Sequence, residues 1–183
     1  GIGAHKGRSL RVEGEDAPNV LTGVDYLNRV LEGEVPAQGE KVLVIGGGDT
    51  AIDAARMAVR HGAKTTIVYR RTRNEMPAIE PEIVGALEEG VVLHELAAPI
   101  EMMLDENGLA TGMKVIKCEL GTVDSSGRRR PVPIEGSEWV IDATMVISAI
   151  SQEPDFAPLP ETREGRDWIR VNELYEMLLG GKP

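Results

Sequence analysis

The sequence predicts an α/β fold, a parallel sheet with helices topped by a β-meander. Three observations carry that expectation. A β-branched run at 41–45 (KVLVI) leads straight into three glycines, an alanine-faced helix and a second strand at 64–69 (KTTIVY). Such a strand–turn–helix–strand unit of about thirty residues fits a right-handed parallel crossover. Residues 144–150 (TMVISAI) are almost continuously apolar, as a strand buried on both faces must be. Segments 100–104 and 110–120 flank the turn 105–108 (DENG), which marks a hairpin.

Taken in order, residues 1–20 are rich in glycine, charge and turn formers, with a break at 14–18 (GEDAP). Residues 22–32 predict a short helix. Thr22 can N-cap it, Asp25 completes a weak capping box, and Val24, Leu27, Val30 and Leu31 share a face. Residues 33–40, with Gly33, Pro36 and Gly39, read as a linker. The helix at 49–61 stops at Gly62, and its Ala51, Ala54, Ala55 and Ala58 form a side able to lie close against a sheet. A polar loop with three arginines follows at 70–77, then a helix at 79–89 with Pro81 in its first turn. Residues 91–96 (VVLHEL) predict a third strand. Residues 123–137 hold Arg128, Arg129, Arg130 and two prolines and read as a loop. Residues 139–143 alternate in polarity, and the stretch 151–183 is Pro- and charge-rich with little pattern.

Composition narrows the function. The 183 residues carry 20 Lys+Arg against 30 Asp+Glu, a formal charge of −10, which disfavours a general nucleic-acid binder. Aromatics make up 3%, too few for base-stacking platforms. One cysteine, Cys118, cannot form a disulfide within the chain, which suits a reducing, cytoplasmic setting. The three histidines, His5, His61 and His94, show no metal-ligand spacing with it, so no metal is expected. No apolar run reaches the length of a membrane span. No pattern identifies a general acid, base or nucleophile, so the catalytic residues stay unassigned. Cys118 lacks a basic neighbour in sequence and reads as an inert thiol.

The glycine turn is the sharpest motif. Gly46-x-Gly48-x-x-Ala51 is a dinucleotide fingerprint with Ala in third place. Gly46 allows the tight turn, Gly48 lets a pyrophosphate approach bare backbone, and Ala51 lets helix and strand close up. The helix N-terminus then offers N–H groups and a positive dipole end. This makes the expected domain Rossmann-like and three-layered. A P-loop is excluded, since no Gly-Lys-Ser/Thr follows. The end of the second strand separates the cofactors. An NAD site usually carries Asp or Glu there, to accept from the ribose 2′-OH. Here stand Arg70, Arg71 and Arg73, whose guanidiniums would bind a 2′-phosphate and point to NADP(H). A solvated basic turn is the plain alternative.

These segments resemble the small subunit of NADPH-dependent glutamate synthase, within the FAD- and NAD(P)-linked pyridine nucleotide-disulfide oxidoreductases. The resemblance rests on 44–53 (VIGGGDTAID), 68–77 (VYRRTRNEMP), 127–136 (GRRRPVPIEG), 149–155 (AISQEPD) and the opening 1–8 (GIGAHKGR). It implies an FAD domain interrupted by an inserted NADPH domain. It implies that Gly46, Gly47, Gly48, Asp49, Thr50 and Ala51 lie along the dinucleotide phosphates, and that Arg70, Arg71 and Arg73 hold the 2′-phosphate. Ile150, Ser151 and Gln152 would lie near nicotinamide and flavin, with Ser151 standing where the family usually has Gly. The chain has no second glycine fingerprint, no flavin motif near its end and no initial Met. The expectation is therefore an NADPH domain at 39–148. Flanks at 1–38 and 149–183 would be remnants of the FAD domain, and this piece would not hold FAD itself. In the full-length enzyme NADPH would reduce FAD, and electrons would pass to iron–sulfur centres or a glutamate synthase large subunit. Three rivals remain open: an NADH-specific relative, an interaction module with a vestigial nucleotide fold, and an adenosyl-ligand binder. The last leaves Arg70 and Arg71 without a role.

Overall fold

The computed structural model describes residues 4–36, 40–124, 127–154, 163–164, 168–169 and 173. The chain divides into two compact units. The larger is Gly7–Ser151, and the smaller joins Gly1–Lys6 to Gln152–Pro183.

In the larger unit, the strands β2 (Val20–Thr22), β3 (Lys41–Ile45), β4 (Lys64–Val68), β5 (Val92–His94) and β9 (Met145–Ser148) form one parallel sheet. Its order is β2-β9-β3-β4-β5. The helices α1 (Gly23–Leu31), α2 (Asp49–Arg60) and α3 (Glu80–Glu88) connect or follow these strands. The strands β6 (Ala97–Leu104), β7 (Ala110–Val123) and β8 (Arg129–Asp142) make a separate antiparallel meander.

Side-chain alternation sorts the sheet into two faces. Val42, Val44, Ile67, Met145 and Ile147 pack with Tyr26, Ile52, Ile83 and the alanines of the helices. Leu43, Ile45, Val68 and Val146 pack with Ala97, Met102, Met113 and Val115 of the meander. The result is three layers, with the parallel sheet covered on both sides, which is why its central strands read as apolar runs. Ala51, Ala54, Ala55 and Ala58 are all fully buried, so α2 sits close to the strands as its small side chains allow.

Most elements stand where the sequence placed them. Thr22 N-caps α1, its hydroxyl accepting from the Asp25 N–H at 3.1 Å. Two segments differ. The stretch 123–137, expected as a loop, is mostly the first half of β8. As an edge strand, β8 tolerates Pro131 and Pro133, because one side of it has no ladder to break. The register shifts between Ile116 and Cys118, and the Ser137 hydroxyl fills the gap by accepting from the Lys117 N–H at 3.1 Å. The second difference is β2, which sequence reading left inside a flank. It pairs with β9, Leu21 opposite Ile147, and so lies within the larger compact unit. Asn19 locks this edge by donating to the carbonyls of Ala110 and Thr144 and accepting from the Ala110 N–H, each at 2.8 Å.

In the smaller unit, β1 (Ala4–Gly7) pairs with β10 (Gln152–Pro154). The strands β11 (Arg163–Glu164) and β12 (Trp168–Ile169) pair antiparallel. Most of the expected C-terminal flank, Asp155 included, and residues 1–3 lie outside the described residues.

Candidate functional site

The three central strands end level. Ile45 lies opposite both Ser148 and Val68. The chain runs outward from β3 to β4 to β5, then returns through the meander to β9 on the other side of β3. The strand order therefore reverses between β3 and β9, and open α/β sheets bind ligands at the carboxyl ends of strands at such a reversal. On one side of this point lies the turn 46–48, and on the other the segment 149–151.

The glycines of the turn differ in what demands them. Gly46 has φ +146°, and a Cβ there would run into the Ala149 carbonyl, 2.8 Å from its carbon. At Gly47 a Cβ would strike the Tyr69 ring. Both are glycine because the protein's own packing leaves no room. Gly48 is another matter. Its φ of −93° is ordinary, and a Cβ there would meet only Pro77 Cγ at 3.8 Å. Nothing within the fold requires glycine at 48, so the bare backbone faces free space. Gly48 is also the N-cap of α2 and supplies no side-chain cap. A helix N-terminus without a side-chain cap turns its first N–H groups toward solvent or a ligand.

Neighbouring residues frame this turn. Asp49 accepts from the Ile79 N–H at 3.0 Å, and the Gly47 carbonyl accepts from the Ala78 N–H at 3.3 Å. Segment 76–79 is thereby tied to the turn. Tyr69, nearly buried against Gly47, donates its hydroxyl to the Glu75 carbonyl at 2.8 Å. Thr72 and Glu75 close a reciprocal capping box that shapes the loop between them. Ala51 is fully buried and holds α2 against the strand end. Thr50 packs its methyl toward Gly23 at the start of α1. Sequence reading passed over Tyr69 and the 74–79 segment. No local pattern marks Tyr69, because its ring meets Gly47 only through the pairing of β4 with β3.

The three arginines have different surroundings. Arg70 is exposed at the end of β4 and has no carboxylate partner among the described residues. Arg71 is 4% exposed. Its Nε donates to the Arg129 carbonyl at 2.6 Å and its Nη2 to Asp124 Oδ2 at 2.7 Å. Arg71 is buried and Asp124 half-buried, so the fold already spends this guanidinium on contacts of its own. Arg73 pairs with Glu80, and its backbone N–H donates to Glu95.

On the far side, the Ala149 N–H donates to the Ile45 carbonyl at 2.8 Å, which holds the end of β9 beside the glycine turn. Ile150 is 42% exposed and Ser151 is exposed, with its carbonyl accepting from the Arg8 N–H at 3.1 Å. Gln152 opens β10 in the smaller unit. Burial pushes the Cys118 thiol up, against the opposing charge of nearby Arg70. Among the described residues no His, Cys, Asp and Glu side chains group as metal ligands, and no helix is long and apolar enough to cross a membrane.

The layers, the switch point and the glycine turn define a Rossmann-like class of protein. Over residues 1–176 the chain matches the pyridine nucleotide-disulphide oxidoreductase family, and it belongs to that family. It is 44% identical over 163 residues to the NADPH-Fe(3+) oxidoreductase subunit beta of Geobacter sulfurreducens, covering 87% of this chain and 24% of that one. It is 36% identical over 166 residues to the small chain of the NADPH glutamate synthase of Escherichia coli, covering 84% of this chain and 35% of that one. The chain thus spans about a quarter to a third of these relatives. Among solved structures it resembles Mycobacterium tuberculosis FprA in complex with NADPH, at TM-score 0.68 and 18% identity, over 83% of this chain and 49% of that one. It also resembles T. acidophilum thioredoxin reductase, at TM-score 0.68 and 17% identity, over 97% of this chain and 52% of that one. These likenesses carry the fold.

Proposed function

We propose that this chain is the NADPH-binding part of a larger flavoprotein oxidoreductase. The observation that carries the reading is Gly48. Its bare backbone meets open space at the uncapped start of α2, at the reversal between β3 and β9, and the fold itself gives no reason for glycine there. A pyrophosphate there gains N–H donors and the positive end of the helix. Arg70, exposed and without an acidic partner at the end of β4, stands where a 2′-phosphate needs a cation and where a ribose-binding carboxylate is missing. The relatives whose names specify NADPH are in accord with this.

NADPH, when bound, supplies a hydride, and the chain's own residues orient it. The turn 46–48 and the first turn of α2 hold the phosphates. Arg70 holds the 2′-phosphate, and Ile150 and Ser151 border the nicotinamide end beside Ala149. The flanks belong with an FAD domain completed by other parts of the longer protein, since the 183 residues carry one dinucleotide fingerprint. Onward transfer to iron–sulfur centres and a partner subunit, in a cytoplasmic setting, completes the reading.

Titration calorimetry with NADPH and NADH tests it. The wild-type chain binds NADPH more tightly than NADH. Arg70→Ala loses about ten- to hundredfold of NADPH affinity, the size of a hydrogen bond to a charged group, with NADH affinity unchanged. Equal affinity for both nucleotides in the wild type sinks the specificity, and no binding of either sinks the reading.

A further inference from the structure

Arg71 is chemically the equal of Arg70 in sequence, yet the fold treats it in the opposite way. Its guanidinium is buried and ends on Asp124, just past β7, and on the carbonyl of Arg129, the first residue of β8. Asp124 is itself fixed. Its Oδ1 accepts from the Arg128 N–H at 3.3 Å, and its backbone N–H donates to the Arg128 carbonyl at 2.7 Å. The backbone around Arg71 is pinned from a second direction. Its carbonyl accepts from the Leu96 N–H, and the Tyr69 carbonyl from the Ala97 N–H, both at 3.0 Å. Arg70 sits between these anchors, exposed, with its own side chain held by no carboxylate among the described residues.

We propose that Arg71 is a positioning residue, and that Asp124 and the Arg129 carbonyl, which it bonds, set the loop from which Arg70 reads the nucleotide's 2′-phosphate. The proposal rests on the NADPH reading above and adds to it the residue that decides where the reading arginine stands. It gives the 128–130 segment a role through its backbone. It also divides two adjacent arginines into one that contacts ligand and one that holds the loop.

Charge and position make opposite predictions for Asp124, which makes the idea testable. Removing a carboxylate near a phosphate site should, by Coulomb's law alone, favour the more anionic nucleotide. It would also release Arg71 to reach the phosphate. Loosening a strut does the reverse. The experiment measures the ratio of NADH to NADPH dissociation constants by calorimetry, with the melting temperature alongside, for wild type, Arg70→Ala, Arg71→Lys and Asp124→Asn. The expected result for Asp124→Asn is a preference for NADPH lowered about threefold or more, together with a lower melting temperature. A preference that is unchanged or raised overturns the proposal. Arg71→Lys is the milder variant, which keeps the cation and can keep the pair with Asp124 while losing the fork that also reaches Arg129. Preference and melting temperature fall together if Arg71 is a strut. Preference falling alone, at an unchanged melting temperature, makes Arg71 a direct ligand and overturns the proposal. A wild-type chain without NADPH preference removes the NADPH reading and this proposal together. A wild-type preference abolished by Arg70→Ala but untouched by Asp124→Asn removes this proposal only.

Discussion

Gly46 and Gly48 stand two residues apart in one fingerprint, yet they are glycine for different reasons. Gly46→Ala puts a side chain into the Ala149 carbonyl at a positive φ. It should destabilise the chain by about 1–3 kcal/mol, read as a lower midpoint in urea. Gly48→Ala meets no atom closer than 3.8 Å. It should change stability by less than about 1 kcal/mol, as an N-cap replacement does, while sharply weakening nucleotide binding. If Gly48→Ala binds NADPH like wild type, the pyrophosphate does not pass over residue 48. The same scale separates Arg70 from Arg71. Local sequence shows two equal cations, and only the partners 53 and 58 residues away distinguish them.

At the scale of elements, α2 is held from behind as well as against the sheet. Arg56 reaches both Glu82 of α3 and Glu89 just beyond it, and Arg60 reaches Glu89 at 2.7 Å. The two guanidiniums bonded to the Glu89 carboxylate, Arg56 foremost, hold its pKa down to about 2. A carboxylate with a lowered folded-state pKa adds stability that is present above its ordinary range, near 4.5, and is lost as pH falls toward 2. Glu89→Gln should therefore melt lower than wild type at pH 7, and the gap should close progressively between pH 4.5 and pH 2. A gap that stays constant over that range rules out the ion network as its cause. The elements also show where local pattern misleads. The arginine and proline run of β8 has the composition of a loop, and β2 is only three residues long. Neither carries a strand signal of its own. Each is a strand because a neighbour, β7 or β9, offers a ladder to join.

For the whole molecule, the parallel sheet, the helix layer and the meander together build one compact unit from Gly7 to Ser151, to which the proposed function assigns the nucleotide. The proposed division of labour gives flavin to other segments of the longer protein. The purified 183-residue chain is accordingly expected to show no flavin absorbance and no NADPH oxidation with an added dye acceptor, while still binding NADPH. A flavin spectrum or turnover from this chain overturns that division.

The sequence by itself determined the β3–turn–α2–β4 unit, its fingerprint, the buried β9 and the meander's first hairpin. Each of these rests on short-range chemistry: β-branched runs, glycines where side chains cannot fit, and alanines on one helix face. Tertiary structure alone decided that β2 completes the sheet and that β9 returns beside β3. It also decided that Gly47 answers to Tyr69 and that Arg71 is buried against Asp124. Those outcomes depend on residues far apart in the chain. Edge pairing and buried charge neutralisation are satisfied between elements, and no local periodicity records which distant partner will satisfy them.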